Sequence, residues 1–355
     1  MPQRMLSPLG HGYNNIAITS QCYSRISDLP GLLKGYVLGV MTFLSLRVLL
    51  FSPNTRQRVD ADCRVPDDSS ERRVDVSRFN HIVGRGHATF HLFKQSEEAS
   101  MKDRVRKTRV LCYVPTGPKN FNSRVPSVKQ TWADHCDIFL FVTGEEHPEI
   151  QSVGLNVTEG WGALTAKTMA AFRYIFKNHY NDADWFIKAD DDSFLVVENL
   201  KYFLATKDTN SPIFFGHHFK VHVDQGYFGG GAGYVLSKEA LRRVGEVKYN
   251  VCREQGGAED LEMGNCMQKL GVPPGVSLDA YNRSRFHTYK TEMHVSGAYP
   301  MWLIQYDKYG LDQGVGRISD YAITFHYMKP RDIYEMDFFL YKFRPHGIKI
   351  QHRPM

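Results

Sequence analysis

The chain has 355 residues, 42% of them hydrophobic and 13% aromatic, which excludes a disordered or low-complexity protein and suffices for one large core. Its 44 basic and 38 acidic side chains leave a net charge of +6 spread along the whole length, too dispersed to mark a nucleic-acid binder. The densest basic run, Lys102, Arg104, Arg106, Lys107 and Arg109, carries no interleaved aromatics on which bases could stack, so it reads as a solvated spacer.

Residues 1–30 are a polar, mixed tail. Residues 31–51, GLLKGYVLGVMTFLSLRVLLF, form the most apolar segment, interrupted by Lys34 and Arg47. A membrane-spanning helix needs about 20 mostly apolar residues, and Arg47 can snorkel toward an interface. No small-residue cleavage site follows, so the segment reads as an uncleaved signal anchor, with a buried or amphipathic helix of a soluble protein as the alternative. Arg4, Arg25 and Lys34 favour a cytosolic tail, a signal diluted by Arg56, Arg58 and Arg64. Residues 52–108, rich in Arg, Asp, Ser and Glu, read as a stem, which leaves 109–355 as the folded domain. The six cysteines contain no C-x-x-C pair, which argues against structural zinc. The last four can form two disulfides in three ways, Cys112 with Cys136 and Cys252 with Cys266 being the sequence-local choice. Two sequons, at Asn156 and Asn282, agree with the cysteines and the anchor on a secretory lumen.

The folded part opens with a strand in RVLCYV from Arg109, stopped by the turn Pro115–Pro118. A short helix up to His135 and a second strand over Asp137–Thr143 follow. Leu164, Met169, Phe172, Ile175, Phe176 and Tyr180 keep helical spacing and lead into a third strand at Trp185–Ile187. This βαβαβ order predicts an α/β fold with a parallel sheet covered by helices. The third strand ends in Asp190, Asp191 and Asp192. Three adjacent carboxylates repel one another. At the carboxyl end of a strand they are accounted for by a hard divalent cation whose coordination nucleotide phosphates complete. A solvated acidic turn is the alternative, but a second apolar run, Phe194–Val197, follows at once.

Beyond the acidic run, Glu198–Thr206 predicts a helix and Pro212–Gly216 a strand. In FGGGAGYVLS, Gly229, Gly230 and Gly231 either allow close approach to a ligand or chain segment, or form a flexible hairpin tip. Ser237 is placed to cap a helix reaching about Val244. Glu259 and Asp260 open another helix, where acidic residues ordinarily serve the dipole. Residues Pro273–Gln313 are loop-rich and aromatic, suited to line a sugar site or to cover the sheet edge. Ala322–Tyr327 reads as a late strand whose His326 is, on its own, an ordinary core histidine.

Five motifs in fixed order carry a resemblance. They are the Thr116–Pro118 turn, DADWFIKADDDSF ending at Phe194, QGYFGGGAGYVLSKEAL at Gln225–Leu241, AEDLEMGNCM at Ala258–Met267 and TFHYM at Thr324–Met328. Together they resemble the β1,3-glycosyltransferase superfamily that includes the fringe proteins, and within it the core 1 β1,3-galactosyltransferases, over roughly Arg109–Tyr341. The resemblance implies a GT-A nucleotide-sugar fold with a mostly parallel central sheet flanked by helices, Mn²⁺, and UDP-galactose as donor. By motif, Asp190, Asp192 and His326 would hold the metal and Asp260 would be the general base. Thr116, Gly117, Lys167, Asp190 and Gly229–Gly231 would line the donor. It also implies a single-pass type II Golgi membrane protein, glycoproteins bearing O-linked N-acetylgalactosamine as acceptors, and a homodimer or dedicated chaperone as partners. A transferase with another donor or acceptor, or a catalytically silent luminal chaperone, are the alternatives. Two stretches depart from the core 1 pattern: Trp161–Ala166 lacks its Arg and aromatic positions, and Gly316–Asp320 lacks an adjacent cysteine pair.

Overall fold

The central strand of the molecule is β1 (Val110–Pro115), in which all six residues are buried. Its neighbours place alternate side chains in two separate cores, as a period of two requires. Val110, Cys112 and Val114 face one layer, together with Trp185 and Ile187, while Leu111, Tyr113 and Phe186 face the other. The computed structural model describes residues 97–311 and 314–347. The tail, the 31–51 segment, most of the stem, Cys22 and Cys63 lie outside the described residues. Among the described residues no helix is long and apolar enough to cross a membrane.

In chain order, helical residues 97–107 precede β1, which is followed by α1 (Arg124–Lys129), β2 (Ile138–Thr143), β3 (Ser152–Gly154), α2 (Leu164–His179) and β4 (Trp185–Lys188). Then come β5 (Phe194–Leu195), α3 (Val197–Leu204), β6 (Phe214–Gly216), the hairpin β7 (His218–Phe219) and β8 (Tyr227–Phe228), β9 (Tyr234–Ser237) and α4 (Lys238–Glu246). The last part holds α5 (Glu259–Lys269), α6 (Thr291–Ser296), α7 (Met301–Tyr306), β10 (Thr324–Phe325) and α8 (Pro330–Asp337). The main sheet runs β3-β2-β1-β4-β9-β6. The pairs among β1, β2, β3 and β4 are parallel, whereas β9 is antiparallel to both β4 and β6. The α/β fold with a mostly parallel sheet is therefore as the sequence predicts.

Helices cover both faces. Val125 and Val128 of α1, Leu200 and Phe203 of α3 and Ile333 of α8 enter one core. Met169, Phe172 and Ile175 of α2, Leu241 and Val244 of α4 and Met263 and Met267 of α5 fill the other. Ser237 caps α4 as expected, its Oγ accepting from the Ala240 amide at 3.0 Å. Both sequence-local disulfides are present, Cys112–Cys136 and Cys252–Cys266. Sequence spacing is less successful elsewhere. The single helix expected up to His135 is only α1 between two short 3-10 turns, and FGGGAGYVLS divides into β8, a glycine turn and β9. The late strand shrinks to Thr324–Phe325, paired with β5 rather than with the main sheet.

Candidate active site

Strand β4 delivers the three aspartates beyond its carboxyl end, where the chain turns at once: the Ser193 amide donates to the Asp190 carbonyl at 3.0 Å. The turn is fastened from several sides. Trp132 Nε1 donates to the Ser193 carbonyl, Ser193 Oγ donates to the Gly231 carbonyl, and the Met328 amide donates to the Asp192 carbonyl. The turn therefore belongs to the folded interior, and the solvated-turn alternative does not hold.

The three carboxylates then diverge. Asp191 points inward, accepting from Thr116 Oγ1 at 2.6 Å, Asn120 Nδ2 at 2.7 Å and Arg124 Nη1 at 2.8 Å. Burial pushes its carboxyl above the usual range, and these donors offset only part of that. Asp190 and Asp192 turn the other way, toward His326. The His326 Nε2 atom lies 3.2 Å from Asp192 Oδ1 and 3.8 Å from Asp190 Oδ2. Burial also tends to raise Asp192, but the hydrogen bond and charge of His326, with Arg124 Nη2 at 3.2 Å, outweigh it and hold the carboxyl low.

Among the described residues Asp190, Asp192 and His326 form a group able to hold a metal, with one ligand atom from each lying within 4.8 Å of the others. The donor set fits a divalent cation. His326 Nδ1 lies 3.2 Å from the Thr288 carbonyl, an atom that can only accept, so Nδ1 donates there and Nε2 faces the carboxylates: protonated, it donates to Asp192, and unprotonated, it would offer its lone pair to a cation. Two carboxylates and one imidazole make a mixed oxygen and nitrogen donor set of the kind that binds divalent cations. Gly231 packs directly against His326: a Cβ built there would collide with the imidazole ring. Gly231→Ala should therefore displace the ring and weaken divalent-metal binding by about 10–100-fold, the range seen when a ligand loses its support, as measured by calorimetric titration. Unchanged affinity would mean that His326 is not a ligand.

The three glycines thus meet neighbouring chain segments closely and are not a loose hairpin tip. Gly229 packs on Phe219, and Gly230 on Glu259, Asp260 and Lys188. The Gly230 amide donates to Asp260 Oδ2 at 3.1 Å, so the glycine turn lies against His326 at Gly231 and against the acidic helix start at Gly230. Asp260 is only partly buried, whereas its neighbour Glu259 is buried and accepts from Tyr234 OH at 2.6 Å and Thr168 Oγ1 at 3.0 Å. Burial raises the Glu259 carboxyl, an effect partly offset by Lys188. Glu259 and Asp260 share one helix turn but not one role, since only Asp260 retains access to solvent.

The remaining expected donor residues lie at the other end of the turn. Thr116 follows β1 and contacts Asp191, as above. Lys167 is almost fully buried and donates to the Thr116 carbonyl at 2.8 Å and to Glu159 Oε2 at 2.7 Å. Glu159 also accepts from the Gly144 amide and packs on Gly117, joining the loops after β1 and β2. Lys167 therefore shapes this edge from behind. Sequence reasoning did not single out Arg124, Asn120, Glu159 or Thr288. Their partners are distant in sequence, so no local pattern marks them.

Five carboxylates, Asp190, Asp191, Asp192, Glu259 and Asp260, meet two cations, Lys188 and Arg124, and a β4 carboxyl end that opens on a glycine turn. Together they form the candidate active site, with a group that could hold a divalent cation on one side of the turn. The Fringe-like family profile matches residues 105–296, and the chain belongs to that family of β1,3-glycosyltransferases. It is 39% identical over 278 residues to glycoprotein-N-acetylgalactosamine 3-beta-galactosyltransferase 1 of Xenopus laevis, covering 77% of this chain and 76% of that protein. More remotely, it is 28% identical over 172 residues to mouse beta-1,3-glucosyltransferase, covering 48% of this chain and 35% of that protein. Human chondroitin sulfate synthase 3 is 24% identical over 177 residues, 44% of this chain and 20% of that protein.

Proposed function

We propose that this enzyme transfers galactose from UDP-galactose to the 3-hydroxyl of O-linked N-acetylgalactosamine on glycoproteins, with inversion and with Mn²⁺ held by Asp190, Asp192 and His326. The observation that carries this reading is the separation of the ligand triad from a partly exposed carboxylate, Asp260, by a tightly packed glycine turn. Inversion needs a base beside the acceptor hydroxyl, on the face opposite the leaving group. Asp260 takes the proton from the acceptor hydroxyl as its oxygen forms a bond to C1 of galactose. The bond from C1 to the diphosphate oxygen breaks, and UDP departs with the electron pair. When bound, the metal supplies Lewis-acid stabilisation of charge on that diphosphate. Arg124, 38% exposed at its side chain and tied to Asp191 and Asp192, adds a fixed positive charge beside the same turn.

For the acceptor side we take Tyr327, which is exposed and whose ring lies tilted against His326 with centroids 4.0 Å apart, and Tyr289 and Trp302, which continue an aromatic wall. Aromatic faces suit the apolar side of a pyranose ring. On this reading the enzyme is a type II Golgi membrane protein anchored by the apolar 31–51 segment, with its catalytic domain in the lumen. Exposed Asn156 and Asn282 and two disulfides are compatible with that compartment.

A second reading keeps the chemistry and changes the sugars. It draws on Trp161, 87% exposed at the segment that departs from the core 1 pattern. A panel of UDP-sugars against N-acetylgalactosaminyl peptides and other acceptors, with and without Mn²⁺, tests both readings. Metal-dependent transfer from UDP-galactose to the N-acetylgalactosaminyl peptide is expected. Transfer only with another sugar pair would replace the first reading by the second, and no transfer with any pair would favour a silent chaperone.

A further inference from the structure

Behind the site lies a buried ammonium group that the transfer chemistry leaves without a task. Lys188, the last residue of β4, is 4% exposed at its side chain. Its Nζ lies 2.7 Å from Asp190 Oδ1, 3.3 Å from the Gly230 carbonyl and 3.3 Å from Glu259 Oε2. An ammonium has three N–H donors, and these three acceptors occupy all of them. Burying such a charge beside two carboxylates does not generally stabilise a fold more than an apolar residue of equal size would. Two of the three contacts lead to Asp260. Gly230, held at its carbonyl by Lys188, donates its own amide to Asp260 Oδ2 at 3.1 Å. Glu259, held by Lys188, Tyr234 and Thr168, fixes where α5 begins, and Asp260 is the next residue.

We infer that Lys188 is a positioning residue for the base: it clamps the Gly230 peptide and Glu259 so that the Asp260 carboxylate is held in place, and it links that placement to the metal ligand Asp190. This rests on Asp260 being the base. A displacement of about 1 Å at such a group costs about 10²-fold in rate. The clamp is distinct from two simpler roles, neutralising Asp190 for the metal or balancing the charge of Glu259.

The test compares the wild type with Lys188→Met and with the double variant Lys188→Met/Glu259→Gln, which leaves no unbalanced buried carboxylate if the single variant fails to fold. In each, transfer, hydrolysis of UDP-galactose by water and Mn²⁺ affinity are measured. At saturating Mn²⁺, which compensates the loss of about 10–100-fold in metal affinity expected from removing the contact to Asp190, both variants should still lose about 10²-fold in kcat for transfer while donor KM and hydrolysis stay within about threefold of wild type. Recovery of the single variant at saturating Mn²⁺ would assign Lys188 to Asp190 and overturn the inference. Wild-type turnover in the double variant would reduce Lys188 to a countercharge and also overturn it. A wild type inert toward every UDP-sugar would defeat the functional reading instead. Crystal structures of the variants would then decide the present inference, because an Asp260 carboxylate still bonded to the Gly230 amide contradicts it.

Discussion

Asp260→Asn is expected to lower kcat for transfer by about 10²–10⁴-fold, the contribution of a positioned general base, with little change in donor KM. The Gly230 amide reaches Asp260 Oδ2 and the Leu261 amide reaches Oδ1 at 2.9 Å; asparagine has one acceptor oxygen, so it can keep one of these two contacts and loses the other. The Glu262 amide still donates to the Ala258 carbonyl and the Gly233 amide to the Gly230 carbonyl, so the helix start and the glycine turn should survive the loss of that one contact and of the basic oxygen. Circular dichroism and thermal melting should match the wild type. Because metal and donor are held by other residues, slow hydrolysis of the donor should persist while transfer to the sugar acceptor fails. Full transfer activity in Asp260→Asn would remove the base from this position. Glu259→Gln is the informative neighbour. Glu259 is buried against Lys188, Tyr234 and Thr168, so its loss should lower stability by about 1–3 kcal/mol, as when a hydrogen-bonded buried group loses its partners. An equal kinetic effect from both carboxylates would show that the pair shares one role.

The sheet was legible in the sequence where burial is continuous and local. Trp185–Lys188 is buried at all four positions, so an apolar run suffices to reveal it, and the heptad-like spacing along Leu164–His179 similarly marks the helix face that enters the core. Strand β3 escaped because its three residues step from buried to exposed and show no alternation. His326 was visible only through the family resemblance. It follows a strand only two residues long, and its ring orientation depends on the carbonyl of Thr288, 38 residues away. The same limit applies inside the triple aspartate. Nothing local distinguishes Asp191 from Asp192, but Thr116 and Arg124, 75 and 67 residues upstream, draw Asp191 inward and leave its neighbours to face His326. Glu259 and Asp260 divide in the same way. A first-turn acidic pair looks uniform until Tyr234 and Thr168 bury one member. Side-chain direction at a turn is thus set by long-range contacts, and motif order supplied what periodicity could not.

That divergence makes the metal hypothesis separable from the fold, and Asp192→Ala is the variant with the second large expected effect. Lewis-acid stabilisation of a departing diphosphate is worth several kcal/mol, so losing a principal ligand should cost about 10³-fold or more in kcat. Among the described residues the side chains that meet the Asp192 carboxylate are His326 and Arg124, and the backbone contact of Asp192 with Met328 does not involve the carboxylate. The fold should hold. Ligand binding to the native state alone raises stability by about 2.7 kcal/mol at a hundredfold excess over Kd, so Mn²⁺ should raise the melting temperature of the wild type. The shift should vanish in Asp192→Ala and in His326→Ala, and chelation should silence the wild type until Mn²⁺ is restored. Asp191→Ala should behave in the opposite sense. Removing a carboxylate that satisfies Thr116, Asn120 and Arg124 should lower the melting temperature outright while leaving a metal-induced shift in whatever folds. A metal-induced shift retained by Asp192→Ala but lost from Asp191→Ala would transfer the site to the middle aspartate and reverse the side-chain directions on which the assignment stands.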